Sequence, residues 1–186
     1  KCGKHVAVEV PAALTLDECW ELVETSEKTG LHCMMLENCC YGENEMFAMM
    51  LCRKGVLGEL VHGEGAYLHD LRDLKFSATG YQDMWRLKYS QAHTGNPYPM
   101  HGLGPICQYM DINRGDTFEY LTSVSSGEFG LTQFAIDTFG KNSPQAKAKY
   151  KLGDMNTTVI KTYRGRTIMV QHDTTSPRPY SRINTI

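Results

Sequence analysis

The chain has 186 residues, enough for one domain or parts of two. Its formal net charge is −2, with mixed signs and no basic block, so nothing electrostatic favours nucleic acid or a membrane surface. No apolar run approaches the roughly 20 residues that span a bilayer.

His5–Val10 is an apolar, largely β-branched run stopped by Pro11, and it predicts a buried strand. Thr15 followed by Glu18 has the form of a capping box. Leu16, Cys19, Trp20 and Val23 follow as a helical stripe, and Gly30 sits where a helix closes. His32–Asn38 is a second buried strand. Residues 5–38 therefore read as strand–helix–strand, a unit that needs a parallel sheet with further strands beside it. Those strands are not in the sequence. The expectation is a chain truncated at its N-terminus, with any Gly-rich dinucleotide turn in the missing part. Glu9 and Glu37–Asn38 fall at the carboxyl ends of the two strands, the edge where open α/β sheets bind ligands.

Residues 43–54 form a helix that is apolar almost all round, which predicts burial. From Glu59 the pattern alternates as a strand. Val61, Gly63, Gly65 and Tyr67 share a face, and the two glycines leave room there for a ligand or another backbone. Residues 75–84 read as loop. Trp85–Arg86 suits a sugar face with hydroxyl donors, or a buried Trp beside a surface Arg. In Asn96–Pro105 two prolines stiffen the approach to Tyr98 and His101. A helix follows, with Ile106, Tyr109 and Met110 on one face, and Gly102 and Gly104 permit a close approach to its first turn. A titratable His and a phenol on a rigid turn suit proton transfer.

Phe118–Val124 reads as a strand, residues 142–153 as a surface loop or short helix, and 157–172 as a hairpin turning at Arg164–Gly165–Arg166. Ser176–Tyr180 is a stiff loop. Strands dominate residues 59–175 apart from the helix after His101, and no closing element is visible before Ile186. The fold class is α/β plus α+β: the C-terminal part of a Rossmann-type parallel-sheet domain over residues 1–42, then a domain with a largely antiparallel sheet over 43–186. An open antiparallel sheet calls for a covering partner, so a homodimer is expected. The seven cysteines are odd in number and lack scaffold or zinc spacing, so they read as small buried hydrophobes, with no metal site.

Gly3–Pro11 resembles the G-K-H-V-x-x-E-K-P strand of the Gfo/Idh/MocA oxidoreductases, with Val10 where those dehydrogenases usually carry lysine. Met35–Tyr41, Gly65–Arg72 and Tyr98–Pro105 together resemble glycoside hydrolase family 109, the NAD-dependent α-N-acetylgalactosaminidases. This resemblance implies a glycosidase that acts on terminal α-N-acetylgalactosamine of a glycan. Bound NAD would oxidise the sugar C3 hydroxyl, which acidifies the C2 proton; elimination, addition of water and reduction then follow. It also implies roles. His101 and Tyr67 would transfer protons, and Glu9, Val10, Glu37 and Asn38 would line the nicotinamide end. Tyr67, Arg86, Tyr98, Pro99, Met100, His101 and Tyr180 would hold the substrate. By the same resemblance the protein is bacterial and periplasmic or exported. Two alternatives stand beside this reading: an NAD(P)-dependent sugar oxidoreductase of the parent family, against which Val10 argues, and an inactive truncated fragment.

Overall fold

A computed structural model describes residues 2–186. β1 (Val6–Val8) pairs in parallel with β2 (Cys33–Met35), and α1 (Leu16–Thr29) connects them. The predicted capping box is present: Thr15 accepts the Glu18 amide, and the Glu18 carboxylate accepts the Thr15 amide at 3.0 Å. Gly30 ends the helix in the left-handed conformation at φ 66°. Replacing Thr15 by Ala should cost about 1 kcal/mol, read as a lower urea midpoint at unchanged slope.

The burial expected of this unit is not found. Val6 is 52% exposed and Trp20 58% exposed, because two strands and one helix offer the apolar stripe no second layer. α2 (Glu43–Arg53) is likewise half bare. Ala48, Met49 and Cys52 pack on the core, while Phe47 and Met46 face outward and Glu45 is buried. The cysteine expectation also needs correction. All seven are free, but Cys2, Cys19 and Cys33 are exposed, and only Cys39 is fully buried.

The larger sheet has the order β4–β5–β6–β3–β7, formed by β3 (His62–Leu68), β4 (Phe118–Ser125), β5 (Asn156–Thr162), β6 (Thr167–Asp173) and β7 (Asn184–Thr185). Every pairing is antiparallel except β3 with β6. The β5–β6 hairpin turns at Gly165, φ 86°, as its sequence predicts. β7 is a closing strand that the sequence did not announce; it pairs Asn184 and Thr185 with Gly65 and Glu64 on the sheet edge.

Between the strands stand α3 (Arg72–Phe76), α4 (Trp85–Ala92), α5 (Met100–Tyr109), α6 (Gly130–Phe139) and α7 (Pro144–Lys147). Of these, α3, α4 and α6 correct the loop and strand expectations. In α4 the apolar Trp85, Leu87 and Tyr89 alternate like a strand, while the face it buries is Arg86 and Ser90. Hydrophobic periodicity therefore points the wrong way. Two amides opening α6 are held from a distance, Phe129 and Gly130 donating to Asp154, while Thr132 donates to Glu128 just before the helix.

α5 is the element that positions the site. Ile106, Tyr109 and Met110 are buried against Ile160, Ile168 and Val170 of the sheet. Gly63 and Gly65 admit this helix rather than a ligand. A Cβ on Gly65 would overlap the carbonyl of Gly102, and one on Gly102 would lie 2.6 Å from the Gly65 carbonyl carbon. Two glycines facing each other let helix and strand backbones touch. Among the described residues no helix is long and apolar enough to cross a membrane.

Candidate active site

β3 delivers Tyr67 to the carboxyl end of the sheet, and α5 delivers His101 beside it. The ring centroids are 5.3 Å apart, edge to face. Tyr98 completes the group, 4.9 Å from Tyr67 and 4.8 Å from His101. The prolines act as the sequence suggested: Pro99 takes the N-cap of α5, and Asn96 accepts the Tyr98 amide at 2.9 Å, which fixes the turn. Met100, half-buried, packs on the Tyr67–Tyr98 cluster.

Arg86 closes one wall. Its guanidinium carbon lies 4.5 Å from the centroids of Tyr98 and Trp85, 4.9 Å from Tyr81 and 5.8 Å from Tyr67. Among the described residues it has no carboxylate partner and its Nε is unbonded, so a buried cation rests on aromatic faces. This settles the Trp85–Arg86 ambiguity: the arginine is the buried member. Tyr180, half-exposed, stands 6.1 Å from Tyr67 and 4.8 Å from His69.

The four residues expected at the nicotinamide end separate into two groups. Glu9 is exposed, and Asn38 is exposed at the end of β2. Val10 touches the aromatic cluster, and its carbonyl accepts the Tyr98 hydroxyl at 3.4 Å. Glu37 instead reaches His101: its Oε1 lies 2.8 Å from His101 Nδ1 and accepts the Cys39 amide at 2.9 Å. Glu9 and Asn38 supply a carboxylate and an amide at the carboxyl ends of two parallel strands, donors and acceptors that fit ribose hydroxyls and a carboxamide.

Burial pushes the His101 imidazole down, but hydrogen bonds to Cys39 and Glu37 outweigh it and lift its pKa to about 9. Burial raises Glu37, yet the bonds from His101 and the Cys39 amide hold it below the usual carboxylate range. At neutral pH the pair is imidazolium–carboxylate. The Tyr67 phenol, raised by burial to about 12, stays protonated. Its hydroxyl lies 3.2 Å from His69 Nδ1, and burial holds His69 below its ordinary value, so a neutral imidazole waits behind the phenol. The arrangement offers an acid in His101, a phenol with a proton acceptor behind it in Tyr67, and a cation in Arg86.

The linkage of the pair to stability has a definite sign. The raised His101 contributes fully below its ordinary 6.5, and that contribution is lost as pH climbs through about 9. The lowered Glu37 contributes above its ordinary 4.5 and is lost as pH falls through its depressed value. Glu37→Gln should therefore destabilise most between those ordinary values and cost little above about pH 9. It should also bring the His101 titration, followed by imidazole NMR, back toward neutrality.

Sequence reasoning missed His69 and His172. His172 is the cross-strand neighbour of Tyr67 on β6, its ring 6.2 Å away. It is fully buried with both ring nitrogens unbonded, and burial, Lys75 and Arg86 hold its pKa near 3. Lys75 is buried too, donates to Ser90 Oγ at 3.1 Å, and is lowered by burial to about 7. The β3–β6 register places His172 behind Tyr67, and no local spacing announces it; His69, two residues past Tyr67, was available to period-two reading.

The chain matches the model of the glycosyl hydrolase 109 C-terminal domain over residues 41–186. It is 55% identical over 187 aligned residues to an α-N-acetylgalactosaminidase of Bacteroides fragilis, covering 99% of this chain and 44% of that protein. It is 53% identical to a glycosyl hydrolase family 109 protein of Solibacter usitatus, covering 100% of this chain and 42% of that one. The chain thus spans less than half the length of the curated relatives it matches. Among solved structures it resembles an NAD-binding oxidoreductase from Klebsiella pneumoniae, with TM-score 0.68 and 17% identity over 95% of this chain and 43% of that one. It also resembles an inositol dehydrogenase homologue from Azotobacter vinelandii complexed with NADH and myo-inositol, with TM-score 0.63 and 14% identity over 98% and 41%. These likenesses show that the chain shares the fold of those structures.

Proposed function

The chain belongs to glycosyl hydrolase family 109, and from that premise we propose that it is the catalytic part of a glycosidase that releases terminal α-N-acetylgalactosamine with the help of NAD. The observation that carries this reading is the group formed by His101, its Glu37 partner and Tyr67, beside an arginine held on aromatic faces. The relative named an α-N-acetylgalactosaminidase supports the substrate class.

Residues 1–42 are the end of the nucleotide-binding domain and residues 43–186 the substrate domain, a division supported by the family match beginning at residue 41. Glu9, Val10, Glu37 and Asn38 would hold the nicotinamide end of NAD. When bound, NAD supplies reversible hydride transfer at a sugar hydroxyl. The chain's own residues do the remainder. Arg86, Tyr98, Pro99, Met100 and Tyr180 orient the sugar. His101 gives and recovers a proton at a ring substituent, with Glu37 fixing its ring and charge. Tyr67 exchanges a hydroxyl proton, with His69 Nδ1 as the acceptor behind it. The exposed Tyr120, Val124 and Val159 on β4 and β5 support a homodimer.

The test uses the sequence extended to its relatives' full length, with an aryl α-N-acetylgalactosaminide. Aglycone should appear with no net accumulation of NADH. Stoichiometric NADH without aglycone would replace the glycosidase reading by the sugar oxidoreductase.

A further inference from the structure

We propose that Glu37, Cys39 and His101 form a binding site for one thiophilic divalent cation, zinc foremost. A carboxylate oxygen, the Cys39 Sγ and an imidazole nitrogen all lie within 4.8 Å of one another. Tetrahedral zinc bonded at about 2.0–2.3 Å holds its ligands about 3.4–3.8 Å apart, so rotamer adjustments bring the three into its first shell. The mixture of oxygen, sulfur and nitrogen is one that zinc accepts and magnesium or calcium does not favour.

The backbone builds the site. Glu37 caps the short 3₁₀ turn Asn38–Cys40, which sets Cys39 two residues on, and His101 enters from the first turn of α5. Gly104, one turn later, lets that helix close on Glu37 and Cys40: a Cβ there would stand 3.1 Å from Glu37 Cγ and 3.0 Å from Cys40 Sγ. Independently of the cluster's spacing, one atom asks for a ligand. Glu37 is 6% exposed, and its Oε2 is buried without any hydrogen-bond partner. Such an acceptor costs free energy until something occupies it.

Charge agrees. The Glu37 carboxylate and a Cys39 thiolate neutralise a dication. The cation facing them, Arg182, which lies beside Cys39, is balanced by Glu45 at 3.2 Å. Entry is available, since Glu37 also lines a cavity of about 310 Å³ with Cys40, Met100 and Leu103. Binding releases the thiol proton, the imidazolium proton and waters of the hydrated ion to solvent, and forms one metal–oxygen, one metal–sulfur and one metal–nitrogen bond, with water left in the fourth position. Affinity should therefore fall as pH falls. If the glycosidase reading holds, the metal takes His101 Nδ1 out of its bond to Glu37 and arrests proton transfer, making the site inhibitory.

The experiment titrates the chain with zinc by calorimetry and with cobalt by absorption, in a background where the exposed Cys2, Cys19 and Cys33 are serine. One equivalent should bind, with a cobalt–thiolate charge-transfer band. Cys39→Ser should abolish the band, Cys40→Ser should keep it, and His101→Ala and Glu37→Gln should each weaken binding at least about tenfold. A band that survives Cys39→Ser, or that vanishes only with Cys40→Ser, overturns the site. Binding that depends on Cys39 but leaves glycoside cleavage untouched supports the site and counts instead against His101 as the proton carrier.

Discussion

His101→Gln should lower kcat on an aryl α-N-acetylgalactosaminide by about 10²–10⁴-fold, the contribution typical of a positioned acid–base group. Glutamine keeps a polar contact to Glu37 but cannot carry a proton at neutral pH, so KM should move far less than kcat. The structural reason is the 2.8 Å bond to a buried carboxylate, which fixes both the ring and its charge. Tyr67→Phe should cost at least about tenfold, because it removes the hydroxyl that joins the site to His69. If neither change lowers the rate tenfold while circular dichroism and thermal melts match the parent, the assigned roles are wrong.

The largest effect on stability should come from Gly102→Ala. In a helix interior this exchange ordinarily stabilises by up to about 1 kcal/mol. Here the new methyl would press into the backbone of Gly65 and Ala66, so the sign should reverse. Overpacking of this kind costs about 1–3 kcal/mol. The atoms in the way are main chain in the middle of a sheet, so relief requires α5 to lift off β3. His101 precedes Gly102 by one residue, and a helix displaced by about 1 Å would also depress activity about 10²-fold. The urea midpoint should fall and kcat should fall with it. A midpoint that rises would mean that the two backbones do not meet.

The stretch from Asn96 to Pro105 was informative in sequence because its constraints are covalent and local. Proline fixes φ, glycine frees it, and a helical stripe begins at Ile106, so the turn and the helix carrying His101 in its first turn follow without knowledge of what lies opposite. The capping box of α1 and the Gly165 hairpin were legible for the same reason. The family resemblance then implied Glu9, Glu37, Asn38, Tyr67, Arg86, Tyr98 and Tyr180 as site residues, and the structure gathers all of these except the exposed Glu9 and Asn38 near His101.

Other features required long-range packing. α4 was hidden because the face it buries carries Arg86 and Ser90, and no hydrophobic pattern marks a helix whose core contact is a cation on aromatic rings. The burial expected of β1, β2 and α2 failed because an apolar sequence states only that a segment seeks cover, and these segments have too little in this chain. The sequence by itself determined the opening strand–helix–strand unit, the change to a largely antiparallel sheet and the rigid turn bearing His101, all consequences of backbone geometry and side-chain period. Only the tertiary structure decided that Glu37 belongs to His101, that His172 stands behind Tyr67, and that Cys39 lies within ligand distance of both Glu37 and His101. Those pairings join residues up to 105 positions apart, as Tyr67 and His172 are, and are created by strand register and by one helix seated on paired glycines.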